Sequence, residues 1–101
     1  MTIVVGAGRV SIRSFRHKGL ADLFERGRTG KLGSRFHRAS LLILDHLDAI
    51  TSLQDCAGVR GFHALKGDRK GRYAMVVTGN YRITFGWRNG EVADVDFEDY
   101  H

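Results

Sequence analysis

Four short segments in the second half of the chain alternate with a period of two, and this pattern restricts the fold more than any other feature. They cover residues 62–65, 73–78, 81–87 and 91–97 and are rich in β-branched and aromatic side chains, which are typical of strands. The turn sequences KGDRKG, GN and RNG separate them. Strands joined by such short turns pair with their neighbours in the chain, so the pattern predicts a four-stranded antiparallel meander.

The first half of the chain carries a helical repeat instead. Apolar residues at positions 20, 23 and 24 share one helical face, and Gly27 is placed to cap the end of a short helix. A longer apolar stripe follows Ser34, a predicted N-cap, and continues to Ile50. The sequence TSLQ at residues 51–54 has the spacing of a capping box and predicts one further helical turn.

A weak alternation over residues 12–17 predicts a short first strand. Helices that precede a meander are typical of an α+β domain, in which the helices cover one face of the sheet. We therefore expect two to three helices on one face of an antiparallel sheet of four to five strands. The 101 residues are interpreted as a single domain.

The cellular compartment is predicted from the single cysteine and from the N-terminus. Cys56 has no partner for an internal disulfide, as is usual in a reducing cytoplasm. We interpret Cys56 as a small apolar core residue, because the neighbouring Asp55 would raise the pKa of a thiol. The apolar run TIVVGAGRV is too short for a membrane span and has its arginine on the wrong side for a signal peptide. These features predict a cytoplasmic protein.

The net charge of +5 is unevenly distributed along the chain. Residues 1–40 carry +7 and residues 60–90 carry +6, whereas residues 41–59 carry −3 and residues 91–101 carry −5. Two separate basic blocks favour a partner rich in phosphate, of which nucleic acid is the commonest. The alternative is a basic protein whose charges are merely solvated.

Few residues remain as candidates for chemistry. The five histidines lack the spacing of a metal site, and no nucleophile elbow, dinucleotide fingerprint or P-loop occurs, so no cofactor is expected. The candidate catalytic residues are His63, Lys66, Arg82, Tyr100 and His101. The turn after the first strand of the meander adds the basic residues Arg69, Lys70 and Arg72, which are candidates for binding phosphate.

Four of these candidates have competing interpretations. His63 and Lys66 differ by three positions, so an unbroken strand would direct them to opposite faces. Both can reach one site only where the strand ends or bulges. Arg82 could instead be a structural residue paired with one acidic residue of the last strand, namely Asp94, Asp96, Glu98 or Asp99. His101 could be part of a frayed terminus.

Three motifs occur in order and resemble the HigB group of the RelE/ParE toxin superfamily. They are FHALKGDRKGRYAM, NYRITFGW and the C-terminal FEDYH, and the stretch SIRSFRHKGLADLFERG matches the usual start of that group. The chain departs from the family pattern at Ala64, where proline is common, and at Tyr73 and Tyr81, where tryptophan is common. The resemblance covers residues 11–101 and implies a RelE-like fold. Residues 1–10 precede the usual start of the family and are interpreted as a dispensable N-terminal extension of the single domain.

The resemblance also implies an activity and partners. Such toxins are ribosome-dependent endoribonucleases that cut mRNA in the ribosomal A site, and a small antitoxin, here of the HigA helix-turn-helix type, neutralises them. The five candidate catalytic residues stand at the positions of the family's active residues. Cleavage by 2′-OH transesterification needs a base, an acid and cations around the phosphate.

The candidate residues fit these roles. His63 and His101 are interpreted as the acid/base pair in either order, because an imidazole can transfer protons near neutral pH. Lys66 and Arg82 would contact the phosphate, and Tyr100 would stack on a base or orient the backbone. Ribosomal RNA would be bound by Arg69, Lys70 and Arg72 together with the basic residues of the first half of the chain.

Two other functions are compatible with parts of the pattern. A toxin like those of the ParE branch would share the fold but inhibit DNA gyrase without cutting RNA, and the two histidines and the terminal Tyr-His argue against it. A non-catalytic nucleic-acid-binding module would explain the charge but not the placement of the aromatic residues.

Overall fold

A computed structural model describes residues 3–4 and 12–100 of the chain. Within these residues the secondary structure comprises six strands and two helices. The strands are β1 (Ile3–Val4), β2 (Ser14–Phe15), β3 (His63–Ala64), β4 (Arg72–Thr78), β5 (Tyr81–Arg88) and β6 (Glu91–Asp99). The helices are α1 (Lys18–Arg26) and α2 (His37–Ala49).

The strands form one sheet in the order β1-β2-β6-β5-β4-β3. The predicted meander is confirmed, because β3, β4, β5 and β6 pair in sequence and antiparallel to one another. The first strand lies beside the last one in parallel orientation, with Phe15 opposite Val95. This pairing makes the sheet mixed, a feature that the meander alone did not predict. The α+β class and the helices before the sheet are as expected.

Helix α1 begins at Lys18, directly after the segment predicted as the first strand. His17 is its N-cap, and the His17 Nδ1 accepts a hydrogen bond from the Leu20 amide at 3.2 Å. The prediction that the first strand reaches His17 is therefore wrong, because a ring that caps the helix ends the strand at Phe15. The helix ends as predicted at Gly27, whose φ of 75° lies in the left-handed region.

The two other predicted helix starts are displaced. Ser34 does not cap α2, because it begins a 3₁₀ turn over Ser34–Phe36 and the α-helix starts at His37. The capping box after α2 uses Ser52 and Asp55, one position beyond the predicted pair, and opens a 3₁₀ turn over Leu53–Cys56. In both places a 3₁₀ turn occupies the first turn that the pattern assigned to an α-helix.

The hydrophobic core lies between the helices and one face of the sheet. Its fully buried side chains include Leu20, Leu23, Ile43, Leu44 and Leu47 from the helices and Met75, Ile83, Phe85 and Val95 from the strands. Cys56 is buried, and this burial, with a smaller effect of Asp55, raises the pKa of its thiol to about 11. A thiol of this kind is protonated at neutral pH, which supports its interpretation as a core residue. No helix among the described residues is long and apolar enough to cross a membrane.

Candidate active site

The sheet face turned away from the helices carries the polar side chains of the three long strands, and we call it the polar face. Ala74 of β4 lies opposite Thr84 of β5, and Arg82 of β5 lies opposite Glu98 of β6. Residues paired across neighbouring strands share a face of the sheet. His63 of β3 lies opposite Ala74 and therefore belongs to the polar face as well.

His63 has a defined ring orientation although its side chain is exposed. Its Nδ1 lies 3.0 Å from the carbonyl oxygen of Gly61. Because a carbonyl can only accept, Nδ1 carries the proton in this contact, and the Nε2 of a neutral ring is then left as an acceptor. An unprotonated Nε2 at the edge of the sheet can remove a proton from a bound hydroxyl.

Lys66 lies just beyond the end of the strand that carries His63. Strand β3 ends at Ala64, and Lys66 directly precedes a 3₁₀ turn over Gly67–Arg69. Because the strand ends before Lys66, the alternation of side chains between the two faces of the sheet does not extend to this residue. The three-residue spacing therefore does not prevent His63 and Lys66 from sharing one site. The side chain of Lys66 is exposed.

Arg82 and Tyr100 lie together at the other end of the polar face. The Arg82 Nη1 donates to the carbonyls of Gly79 at 2.6 Å and Tyr81 at 3.1 Å, and its guanidinium carbon lies 5.5 Å from the centre of the Tyr100 ring. The Tyr100 amide donates to the carbonyl of Asn80 at 2.7 Å, which fixes the end of the chain beside the β4–β5 turn. His101 lies outside the described residues.

The acidic residue opposite Arg82 binds other groups. The Glu98 carboxylate accepts two hydrogen bonds from Arg69, at 2.8 and 2.5 Å, and a third from the Thr84 hydroxyl. The hydrogen bonds from Arg69 have the largest part in lowering the pKa of Glu98, so this carboxylate is ionised at neutral pH. The recorded hydrogen bonds of Arg82 go instead to backbone carbonyls.

The three predicted RNA-binding residues have different environments. Arg69 is paired with Glu98, whereas Lys70 is exposed. Arg72 donates to the carbonyl of Asp94 at 2.9 Å and to the Thr84 hydroxyl at 2.9 Å. Burial lowers the pKa of Arg72, and the nearby Arg16 lowers it further. Two of the three side chains therefore contact the protein itself in this conformation.

A bulge in β6 gathers further charges at one end of the polar face. Asp94 has a φ of 52° where the β5–β6 register shifts, and its carboxylate is bonded to Arg88 and to the Ser14 hydroxyl. Arg16 lies 3.9 Å away. The acidic C-terminal block thus meets part of the basic blocks across the sheet, and the separation of charge along the sequence is partly cancelled in space.

Glu98 and Thr84 were not among the predicted site residues. Both lie inside the quoted motifs NYRITFGW and FEDYH, but their residue types alone do not indicate a role, and only the register of three strands brings them beside Arg69 and Arg72. Within residues 12–100 the structure contains no group of three or more His, Cys, Asp or Glu side chains that could hold a metal ion. The roles assigned to the predicted residues stay predictions.

Comparison with known proteins covers the whole of this site. A family model described as the HigB-like toxin, a RelE-like toxin of type II toxin–antitoxin system HigB, matches residues 13–101. The endoribonuclease HigB of Proteus vulgaris is 37% identical over 91 residues, which cover 89% of this chain and 99% of that protein. Every candidate residue from His63 to His101 lies inside the matched range.

Proposed function

Because this chain belongs to the HigB-like toxins of type II toxin–antitoxin systems, we propose that it is an endoribonuclease that cuts mRNA in the ribosomal A site. The observation that carries the proposal is the shared position of His63 and Arg82 on the polar face, with Tyr100 beside Arg82. The name of the relative from Proteus vulgaris supports the same activity. The ribosome requirement is part of the proposal.

The proposed reaction is a transesterification within the RNA backbone. The Nε2 of His63 removes the proton of a 2′-hydroxyl, and the 2′-oxygen attacks the adjacent phosphorus. The bond from phosphorus to the 5′-oxygen breaks, and His101 donates a proton to that oxygen. The products are a 2′,3′-cyclic phosphate and a free 5′-hydroxyl. The contact of His63 Nδ1 with the Gly61 carbonyl supports the base role, because it leaves Nε2 able to accept.

Three further residues assist in this scheme. Lys66 and Arg82 stabilise the charge on the phosphate. Two backbone carbonyls already hold the Arg82 side chain, so it needs no further ordering when it contacts the phosphate. Tyr100 stacks on a base next to the cut. These groups read little of the base sequence, so the ribosome must hold the mRNA in position for the reaction.

As a toxin of a type II system, the chain has an antitoxin as its partner. We propose that this antitoxin is of the HigA helix-turn-helix type and that both proteins act in the cytoplasm. We also propose that Lys70 and the basic residues of the first half contact ribosomal RNA.

The single domain is proposed to function without residues 1–10, which precede the range matched by the family. Strand β1 pairs with β2 through two residues only. The truncated chain is therefore expected to cut RNA at the parental rate, as measured on the same ribosomes. A folded truncated chain that cuts RNA more than tenfold slower would contradict this assignment.

The test of the activity uses purified protein, programmed ribosomes and the same mRNA without ribosomes. Mapping of 5′ ends is expected to reveal cuts inside the A-site codon on ribosomes and little cutting of the free mRNA. Equal cutting of the free mRNA would refute the ribosome requirement. Inhibition of DNA gyrase without any RNA cleavage would refute the nuclease and favour a ParE-like toxin. The variant His63→Gln serves as the inactive control.

A further inference from the structure

We propose that the ion pair between Arg69 and Glu98 is a clamp that positions Lys66 and its loop beside His63 for cleavage. The inference rests on the proposed function and assigns the two residues a role that does not involve contact with RNA. Glu98 and Arg69 are thus positioning residues, and the charge of Arg69 stabilises the structure of the site.

The geometry of the pair is that of a rigid attachment. Both terminal nitrogens of Arg69 donate to Glu98, Nη1 to Oε1 at 2.8 Å and Nη2 to Oε2 at 2.5 Å. A forked contact of this kind fixes direction as well as distance. Glu98 is itself held by the Thr84 hydroxyl, which also accepts from Arg72. The clamp therefore joins the loop after β3 to three strands of the sheet.

The loop needs such an attachment because its backbone is easily deformed. Residues 65–71 connect β3 to β4, and Gly67 and Gly71 both have positive φ values, 68° and 94°. Glycines in this region lose much conformational entropy on ordering. At its base the loop is closed on β4 by the bond from the Leu65 amide to the Arg72 carbonyl, 2.8 Å. The backbone bonds at its tip are those from Arg69 to Lys66, 3.2 Å, and from Lys70 to Gly67, 3.1 Å. They shape the turn but do not attach it to the centre of the sheet.

The clamp lies between the two halves of the site. Arg69 follows Lys66 by three residues, and β3 with His63 enters the same loop. Glu98 lies opposite Arg82 and two residues before Tyr100. Loss of either partner frees the loop, and with it Lys66, relative to β6, Arg82 and Tyr100. His63 is held in addition by the pairing of β3 with β4, so the clamp sets the position of Lys66 relative to the rest of the site.

The environment of Glu98 argues against a direct phosphate contact by Arg69. The Glu98 side chain is 21% exposed and the Arg69 side chain 37%. A phosphate that approached Arg69 would have to displace this carboxylate and would meet its negative charge. Lys70, one residue further along the chain, is exposed, and among the described residues no carboxylate competes with a phosphate for its side chain.

The two roles predict opposite effects for Glu98→Ala, which makes the test decisive. If Arg69 positions the loop, Glu98→Ala lowers kcat on programmed ribosomes by about 10- to 100-fold, the usual cost of slight misplacement of catalytic groups. If Arg69 binds RNA and Glu98 only competes with the phosphate, Glu98→Ala releases Arg69 and lowers KM instead. The second result would overturn the proposal.

A double-mutant cycle gives a second, independent readout. Arg69→Ala and Glu98→Ala are expected to lower kcat equally, and the double variant is expected to lose no more than either one, because the clamp is already absent. KM is expected to stay within about threefold in all three, since no substrate contact is removed. A double loss equal to the product of the single losses would overturn the proposal.

The loop offers a matched control. Asp68→Ala removes an exposed carboxylate from the same 3₁₀ turn, next to Arg69 but outside the forked contact. This variant is expected to keep the parental kcat. A loss as large as that of Glu98→Ala would mean that the charge of the loop, rather than the clamp, sets the rate, and would overturn the proposal.

Amide hydrogen exchange separates failure of the clamp from failure of the proposed function. In Glu98→Ala the amides of Arg69 and Lys70 are expected to exchange at least about tenfold faster, while the amides of β4 and β5 keep their protection. This result would support the clamp even if the parent protein cut no RNA at all. Unchanged exchange at both amides would overturn the clamp even if the parent were an active nuclease.

Discussion

The N-cap of α1 makes the stability of the protein depend on the protonation of one histidine. His17 accepts the Leu20 amide proton through Nδ1, and its ring lies 5.9 Å from that of Phe97. Loss of an N-cap bond costs about 1 kcal/mol, and a partly exposed ring contact contributes about 0.5 kcal/mol more. His17→Ala is therefore expected to lower the free energy of unfolding at pH 8 by about 1 to 2 kcal/mol.

The same contact determines how this contribution varies with pH. Burial lowers the pKa of His17 below its ordinary value of 6.5, against a smaller opposing effect of Asp96. The unfolded chain therefore takes up the proton at a higher pH than the folded one. The contribution of His17 to the free energy of unfolding is complete above about pH 6.5. It is lost as the pH falls from there through the lower pKa of His17 in the folded state. A protonated ring cannot accept at Nδ1 and adds positive charge to the positive end of the helix.

The assay compares the parent with His17→Asn in urea unfolding between pH 8 and pH 5. Asparagine also caps helices but does not titrate in this range. The parent is expected to lose stability relative to His17→Asn as the pH falls below 6.5. A difference between parent and variant that stays constant from pH 8 to pH 5 would refute the reasoning.

Three further predictions concern the site and α1. Deletion of His101 is expected to lower the cleavage rate on ribosomes by roughly 10²- to 10⁴-fold and stability by less than about 0.5 kcal/mol; cleavage at the parental rate would contradict the acid/base pair with His63. Treatment of the toxin with chelator, with magnesium kept for the ribosome, is expected to leave single-turnover cleavage unchanged, and restoration by added zinc would contradict it. Gly19→Ala is expected to destabilise the protein in urea, although alanine is favoured over glycine in helices by about 1 kcal/mol. The reason is that an added Cβ would lie 2.8 Å from the His17 ring and 3.2 Å from the Lys31 carbonyl carbon. A stabilised variant would argue against this close packing.

The meander could be predicted because its signals are local. The turns at residues 79–80 and 89–90 lie between alternating segments, and the observed hairpins close there. The end of α1 was equally readable, since a glycine after an amphipathic stripe has one common use. Features that depend on a few neighbouring residues are thus accessible without a structure.

The parts that escaped prediction depend on residues far apart in the chain. The alternation over residues 12–17 predicts a strand but does not indicate which strand pairs with it. Only the folded sheet shows that β6 lies beside it. The pairing of Arg69 with Glu98 joins positions 29 residues apart and depends on the register of β5 and β6. Counting charge by segment therefore overstated how much of the basic loop is left for RNA.

The parallel pairing of β2 with β6 also governs the order in which the parts of the site assemble during folding. Ser14 and Asp94 exchange hydrogen bonds across 80 positions of the chain, and contacts of such long range form late. Strand β6 also supplies Glu98 and precedes Tyr100. Because β6 pairs with both β2 and β5, the polar face is complete only after this strand has joined the sheet, and the site assembles among the last steps of folding.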